Sequence, residues 1–349
     1  MGPLNALVTF DKPAPGAADD DDEAPDFVLL PGPAESQSDT AAFLAHWRPD
    51  LLIWVGGPFR PVLLAEVDAV GLPRVLINAK ADALGSITGT WVPGMSRALI
   101  GPFRHVLTTD EDAALRLERM GIERGVLEIT GVLDDDPDPP PCDEMERAQI
   151  AAMILPRPVW LGAAVPLQEI ATLLGAFRVA QRRAHRLLLV LDPATPRDGG
   201  AIRDRLAAEG LRVALRSEGQ VPDEHTEIIV ADRRHELGLW LRMAPTTYLG
   251  GSLAGSGCLH PYIPAALGSA IVHGPSLGRY ETAGARLGHA GATRHIDGSR
   301  TLGQTIAQVL APDRAAAMAH AGYMVVAANA AVTNRLTEII ANVLDEVPA

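Results

Sequence analysis

The chain has 349 residues, of which 47% are hydrophobic and 21% are charged. This composition is globular, and at roughly 100–200 residues per domain the length allows two domains or one large one. Lys and Arg total 30 against 43 Asp and Glu, which gives a net charge of −13. Because nucleic-acid binders neutralise phosphates with basic surfaces, this charge argues against a nucleic-acid partner.

Neither a disulfide framework nor a metal centre is encoded. The two cysteines, Cys142 and Cys258, lie far apart and outside any CxxC spacing, and no histidines and carboxylates show the spacing of metal ligands. The N-terminus has no basic region followed by an apolar run, and no stretch reaches about 18 consecutive apolar residues. We therefore expect a cytoplasmic protein that is at most peripheral to a membrane.

Residues 5–132 alternate short apolar runs rich in β-formers with helical patterns. Strands are predicted at 5–11, 27–31, 51–56, 74–78, 106–109 and 126–131, and helices at 38–47, 60–70 and 110–120. Asp110 is the predicted N-cap of the last of these helices. Such alternation predicts a mostly parallel sheet with helices on both faces.

The segment Asp134–Asp143, which reads DDDPDPPPCD, can continue neither a helix nor a central strand and is the predicted linker. After it the alternation resumes. Strands are predicted at 159–164, 186–191, 212–216, 227–231, 247–250 and 270–273, and helices at 167–183, 200–209, 233–243, 262–267 and 301–310. We predict two α/β domains, at 1–133 and 144–311, separated by a cleft and followed by an Ala-rich helical tail at 312–349.

The glycine-rich segment Tyr248–Pro275 is the most informative stretch. A strand runs into Gly250, Gly251 and Ser252, and a short helix opens about ten residues later. Small residues at the carboxyl edge of a parallel sheet let a ligand approach the backbone, and free N–H groups at a helix start attract phosphate. His260 is a candidate ligand-facing donor in this loop. The alternative, that the glycines only form turns and His260 is an ordinary loop histidine, stays open.

A second candidate lies at Asp232–Leu237, directly after an apolar run. Asp232 is a candidate N-cap for the following helix. Glu236 falls in the first turn, where a carboxylate suits the helix dipole or meets a ribose hydroxyl. Capping alone explains both residues equally well. Residues 250–254 narrowly miss the GxSxG pattern, which disfavours a serine hydrolase.

In order along the chain, these motifs resemble those of the 3-deoxy-D-manno-octulosonic acid (Kdo) transferases, which add Kdo from CMP-Kdo to lipid A precursors. The matching segments are WRPDLLIW at 47–54, VLINAK at 75–80, Asp232 with Glu236-Leu237, and GGS at 250–252 with the following Pro261, 265–268 and Gly274-Pro275. The resemblance implies a GT-B fold of two Rossmann-like domains. The acceptor would lie on the first domain and the nucleotide sugar on the second, with reaction in the cleft and no cofactor.

The resemblance also implies partners and site residues. The partners are a CMP-sugar donor and a lipid-linked acceptor, with peripheral contact at the inner membrane. The acceptor-side candidates are Asn78 and Lys80. The donor-side candidates are Arg197, Glu236, Gly250, Gly251, Ser252, Ser256 and His260.

The chain departs from the family's pattern at positions that carry chemistry. The family's catalytic Glu lies upstream of the strand that residues 5–11 resemble, so we expect an N-terminally shortened member and assign no catalytic residue. The Ser and His of the family's ASTHxGE segment fall at Ala164 and Pro166, which leaves Glu169. Of its PRHPER segment, only Arg197 remains as a cation.

Two other functions stay open beside a divergent transferase. One is a catalytically inactive GT-B homologue that acts as a binding or regulatory partner in envelope biogenesis. The other is a nucleotide-sugar epimerase of similar fold, for which His235 and Glu236 are the adjacent acid and base. We also expect a reduced first sheet, with its open edge covered by a loop such as residues 12–25 or by a partner subunit in a homo-oligomer.

Overall fold

The computed structural model describes residues 5–10, 27–80, 95–154 and 157–346. Two compact units make up the chain: Met1–Leu133 with Asn334–Ala349, and Asp134–Thr333. The division falls at the first residue of the predicted linker. Linker residues and residues 312–333 group with the second unit, and Asn334–Ala349 group with the first.

The first unit contains short parallel strands with helices between them. Its described strands are β1 (Ala6–Phe10), β2 (Phe27–Pro31), β3 (Leu52–Val55), β4 (Arg74–Ala79), β5 (His105–Thr108) and β6 (Leu127–Ile129), and its described helices are α1 (Gln37–Trp47), α2 (Pro61–Ala69), α3 (Met95–Ile100) and α4 (Glu111–Met120). β1 pairs with β2, and β3, β4, β5 and β6 form a second sheet in that order, with every pairing parallel.

The predicted parallel pairing in this unit is confirmed, although the described strands form two sheets rather than one. The predicted N-cap is also confirmed, because Asp110 Oδ1 accepts the Ala113 N–H at 2.8 Å. Helix α3 was not predicted. The loop proposed to cover the sheet edge, residues 12–25, lies outside the described residues.

The second unit is larger. Its described strands are β7 (Val159–Val165), β8 (Leu188–Pro193), β9 (Val213–Leu215), β10 (Ile228–Val230), β11 (Thr246–Leu249), β12 (Ala270–His273) and β13 (Thr293–His295). Its described helices are α5 (Glu144–Ile154), α6 (Ile170–Gln181), α7 (Gly199–Ala208), α8 (Leu237–Met243), α9 (Tyr262–Ala266), α10 (Glu281–His289), α11 (Ser299–Val309) and the first two thirds of α12 (Pro312–Asp345). The sequence patterns missed α5, α10 and β13.

One seven-stranded parallel sheet forms the frame of the second unit, in the order β13-β12-β11-β7-β8-β10-β9. The sheet has helices packed on it, and Trp160 of β7 and Phe177 of α6 are fully buried between them. The predicted α/β class is therefore confirmed. The strands that follow β7 in the chain extend the sheet to one side, and those that follow β11 extend it to the other side. The strand order therefore reverses between the neighbours β7 and β11. In open α/β sheets, ligands bind outside the carboxyl ends of the strands at such a point.

Helix α12 is the longest element. Among the helices that the structure describes, it is the one whose length and composition would allow it to cross a membrane, and 28% of its most apolar window is buried. Core helices of folded domains have the same composition. Near its end, Ile339 and Val343 are buried against Val75 and Ile77 of β4 in the first unit.

Candidate functional site

The loops after β7 and β11 meet at the point where the second sheet changes direction. The Gly250 N–H donates to the Ala163 carbonyl at 2.8 Å. A Cβ at Gly250 would lie 2.6 Å from the Ala164 carbonyl oxygen and 2.6 Å from Val165 Cα. Both neighbours are backbone, so only glycine allows the two loops to approach this closely.

The Glu169 carboxylate lies inside this junction and is 3% exposed. Its Oε2 accepts the Tyr248 hydroxyl at 2.8 Å and the Gly251 N–H at 3.0 Å. Its Oε1 accepts the N–H groups of Leu253 at 3.1 Å and Ala254 at 2.8 Å. The carboxylate therefore satisfies the donors that an anion at the glycine-rich loop would otherwise meet. Burial and the Glu169 charge raise the pKa of Tyr248, which keeps its hydroxyl a donor.

The predicted phosphate contacts Gly250, Gly251 and Ser252 are thus engaged within the protein. The Ser252 side chain is fully buried. Its hydroxyl donates to the Leu249 carbonyl at 2.5 Å and accepts the Gly274 N–H at 2.8 Å. This second bond ties the glycine-rich loop to the end of β12. Small residues directly after a strand are therefore explained by close packing of the backbone as well as by the approach of a ligand.

The second candidate segment contains a buried ion-pair cluster. Glu236 is 5% exposed, and its Oε1 accepts from the Arg216 guanidinium at 2.8 Å and from Arg233 at 2.9 Å. Its Oε2 accepts the Trp240 indole N–H at 3.2 Å. Glu146 of α5 accepts from Arg216 at 2.5 Å and from Arg233 at 2.9 Å. Both Glu236 oxygens are therefore engaged, while the neighbouring His235 of the epimerase hypothesis is exposed.

The predicted N-cap role of Asp232 is wrong. Helix α8 begins only at Leu237, and the Asp232 Oδ1 accepts the Ser217 N–H at 2.8 Å instead. A Cβ at Gly199 would lie 2.3 Å from the Asp232 Oδ2. The Asp232 carboxylate thus contacts the loops after β9 and β8 from its own position after β10. At this strand end the donors of neighbouring loops lie nearer to the carboxylate than the first turn of the following helix does.

Asp192, at the carboxyl end of β8, was not singled out from the sequence. Its Oδ2 accepts the Ala164 N–H at 2.8 Å, and Ala164 has a φ of +50°. Burial raises the pKa of Asp192 to about 7, and the nearby Glu236 charge acts in the same direction. A carboxyl group that titrates near neutrality at a ligand-binding edge has the protonation behaviour that acid–base chemistry requires.

His260 lines a cavity of about 570 Å³ together with Asp135, Asp136, Arg279 and Tyr280. Its side chain is 7% exposed. The His260 Nδ1 accepts the Tyr262 N–H at 3.1 Å, and burial lowers the pKa of the imidazole. Neutral His260 therefore carries its proton on Nε2.

The linker is fixed to the second unit beside this cavity. Asp134 Oδ2 accepts the Tyr262 hydroxyl at 2.9 Å, and Arg286 donates to that hydroxyl at 2.8 Å. The amide of Asn329, which is fully buried, accepts the Asp134 N–H at 3.0 Å and donates to the Asp135 carbonyl at 3.2 Å. Asp134 thus anchors the linker to the second unit.

The remaining candidates lie apart from this junction. Arg197 and Ser256 are exposed at the loops after β8 and β11. In the first unit, the Asn78 amide donates to the Leu133 carbonyl and accepts the Leu133 N–H, both at 2.7 Å. Lys80 is exposed after β4. Within the described parts of the chain, no three His, Cys, Asp or Glu side chains are arranged to hold a metal ion.

Comparison with known proteins identifies relatives along most of the chain. A family model described as 3-deoxy-D-manno-octulosonic-acid transferase matches residues 16–134. A 3-deoxy-D-manno-octulosonic acid transferase of Bordetella pertussis is 29% identical, over 86% of this chain and 71% of the relative. The enzyme of that name from Haemophilus influenzae is 25% identical, over 66% of this chain. This chain spans only 55% of the length of the Haemophilus relative.

Two solved structures are also similar. The C-terminal CMP-Kdo binding domain of WaaA from Acinetobacter baumannii aligns with a TM-score of 0.47 and 22% identity, over 51% of this chain and 96% of that chain. MurG from the same organism aligns with a TM-score of 0.45 and 12% identity, over 83% of this chain and 73% of that chain.

Proposed function

The chain is a relative of the 3-deoxy-D-manno-octulosonic acid transferases, and we propose that it is a glycosyltransferase that moves Kdo from CMP-Kdo to a lipid A precursor. The observation that carries the proposal is the relationship to the Bordetella enzyme over 86% of the chain. The geometry of the second unit supports it, because the matched glycine-rich block lies at the change of direction in a parallel sheet.

The donor would bind at the carboxyl edge of this sheet. Departure of CMP builds charge on its phosphate, which cations and N–H donors stabilise. The groups that remain available are the exposed Arg197 guanidinium, the Ser256 hydroxyl and the His260 Nε2 proton. The lipid-linked acceptor would approach the first unit, where Lys80 is exposed. We place the protein at the cytoplasmic face of the inner membrane, in peripheral contact with it.

Transfer also needs a base that removes the proton of the acceptor hydroxyl. Asp192, at the carboxyl end of β8, has a pKa raised to about 7 by burial. Its Oδ2 is bonded to Ala164. We leave the base unassigned, since Asp192 would have to give up or share this bond to act on an acceptor.

Calorimetry and turnover test the proposal. The full chain is titrated with CMP and with CMP-Kdo, and transfer to a lipid A precursor is followed by mass spectrometry. Arg197→Ala should weaken CMP binding about tenfold, the amount expected when a charged hydrogen bond is lost. Arg203→Ala on helix α7, whose guanidinium is paired with Asp204 and Glu218, is the matched control. Absence of both CMP binding and transfer would contradict the proposal.

A second function is favoured by one observation. The glycine-rich loop's N–H donors are bonded to the Glu169 carboxylate, which leaves fewer donors for a phosphate. A homologue that binds a partner protein in envelope biogenesis, without transfer, would have this property. A folded chain that shows neither transfer nor CMP affinity is the result that would favour it.

A further inference from the structure

Two polar side-chain atoms in the core of the second unit have no hydrogen-bond partner among the described residues. They are the indole Nε1 of Trp160 in β7 and the hydroxyl Oγ1 of Thr246 in β11. Both side chains are fully buried. In native proteins nearly every buried polar group is bonded, either to the protein or to an ordered water, so each exception calls for an explanation.

The register of the parallel sheet places these two residues side by side. Thr247 of β11 lies opposite Leu161 of β7, so one residue earlier on each strand Thr246 lies opposite Trp160. Side chains directly opposite each other on neighbouring strands point to the same face of the sheet. Tyr248, two residues after Thr246 and therefore on its face, belongs to the same core cluster as Trp160, which agrees with this placement.

The neighbouring side chains on this face are apolar. Trp160 lies opposite Leu189 of β8, and Thr246 lies opposite Ala270 of β12. The row across the four strands therefore reads Leu, Trp, Thr, Ala, and helices α6, α11 and α12 add further apolar side chains to the same core cluster. Ala270 has the shortest side chain of the row, so the least side-chain volume lies beside the Thr246 hydroxyl.

The next threonine shows how a buried hydroxyl of the same strand is bonded on the other face. Thr247 is also fully buried, and its Oγ1 lies 2.8 Å from the Ser269 Oγ. Ser269 in turn donates to the Ala244 carbonyl at 2.9 Å. A polar side chain of the protein thus completes this pair, whereas the row that contains Thr246 has no second hydroxyl.

We infer that an internal water molecule bridges the Trp160 Nε1 and the Thr246 Oγ1. The indole N–H can only donate, so its partner must be an acceptor, while the hydroxyl can both donate and accept. A water accepts from the indole and forms its second hydrogen bond with the hydroxyl. Two polar partners are the lower end of the two to four that a buried water bonds. An apolar occupant would leave both groups unbonded in the core.

The bridge joins the two strands between which the strand order reverses. Both residues lie toward the amino-terminal ends of their strands, away from the carboxyl edge where the donor is proposed to bind. Two residues further along β11, the Tyr248 hydroxyl donates to Glu169. The water therefore belongs to the frame beneath the glycine-rich loop, and the inference does not depend on transfer of a sugar.

A crystal structure that resolves ordered waters tests the position directly. We expect electron density for a water within about 2.7–3.2 Å of both Nε1 and Oγ1. Thr246→Val should lose this density, and Thr246→Ser, which keeps the hydroxyl, should retain it. Thr247→Val, on the opposite face of β11, should also retain it. A direct bond between Trp160 and Thr246, or the absence of density between the two atoms, overturns the inference.

NMR of the full chain tests the same bridge in solution. The chain has five tryptophans, and Trp160→Phe and Trp240→Phe identify two of the indole N–H signals by their loss. The Trp160 proton should show cross-peaks to water with opposite signs in NOE and ROE spectra, which distinguishes a bound water from proton exchange. Trp240 is the internal control, because its buried indole N–H donates to Glu236 at 3.2 Å. A Trp160 proton that shows no more contact with water than the Trp240 proton overturns the inference.

Discussion

The glycine-rich loop and the His260 cavity belong to one stretch of sequence, yet they differ in how their polar groups are satisfied. In the loop, the Glu169 carboxylate accepts three backbone N–H groups and one hydroxyl. In the cavity, the Asp135 Oδ2 lies 3.8 Å from the His260 Nε2, which is beyond hydrogen-bond distance. A glycine-rich loop that resembles a phosphate-binding loop can therefore have its N–H donors bonded within the protein itself. The His260 Nε2, ten residues further along the chain, is not bonded in this way.

The largest effect is expected from Glu169→Ala. It leaves the Tyr248 hydroxyl and three loop N–H groups without their buried acceptor, so the free energy of unfolding should fall by roughly 3–5 kcal/mol. Urea denaturation measures it. Inorganic phosphate should restore part of the loss, since an anion can replace the carboxylate at these donors.

The control for this variant is Glu209→Ala, which removes an exposed carboxylate paired with Arg178 and should change stability by less than about 1 kcal/mol. A Glu169→Ala protein as stable as this control would show that the loop does not depend on the carboxylate. A loss that phosphate leaves unchanged would show that the vacated position is not an anion site.

The ion-pair cluster should be nearly as sensitive. Glu236→Ala leaves the Arg216 guanidinium, 2% exposed, with only Glu146 as a carboxylate partner. We expect the free energy of unfolding to fall by about 3 kcal/mol. Glu236→Gln, which keeps the shape and an acceptor for Trp240, should lose less. If the Ala variant is as stable as the wild type, the ion pairs of Glu236 do not stabilise this segment. The carboxylate would then be available to bind a ribose hydroxyl.

A smaller effect is expected where the loops after β7 and β11 meet. Gly250→Ala forces a Cβ to 2.6 Å from backbone atoms of Ala164 and Val165, and we expect a loss of about 2 kcal/mol. Gly175→Ala is the matched control, because a Cβ there meets nothing within 4 Å and alanine favours helix α6. Thermal unfolding compares them. If Gly250→Ala matches Gly175→Ala, the loops have room for a ligand between them.

The sequence predicts the strands and helices of the molecule better than it predicts the contacts between side chains. Alternating apolar runs predict most of the strands of the second sheet, because a strand buried on both faces is continuously apolar. They miss β13, which reads Thr-Arg-His and has two exposed residues, because an edge strand carries little apolar signal. The Asp232 cap failed because local spacing says nothing about donors on neighbouring loops. Asp192 and Glu169 form their hydrogen bonds with loops that are far apart in the sequence. Local sequence patterns do not show which loops meet in the fold.

The last effect concerns the pH dependence of Asp192. Its pKa is raised to about 7 in the folded chain, against about 3.9 for an unperturbed Asp. The folded state therefore binds the proton more tightly than the unfolded state. Its contribution to stability is fully present below about pH 4 and is lost as the pH rises toward 7.

Asp192→Asn removes this titration and keeps an oxygen that can accept the Ala164 N–H. We expect the variant to exceed the wild type in free energy of unfolding by about 2.5 kcal/mol more at pH 8 than at pH 5. Urea titrations at both pH values measure the difference, and the carboxyl carbon shift in NMR gives the midpoint directly. A midpoint near 4, with no change in the stability difference, would show that Asp192 is ionised and solvated at the sheet edge. It would then be ionised at neutral pH, in the form that can accept a proton from an acceptor hydroxyl, and could not donate one.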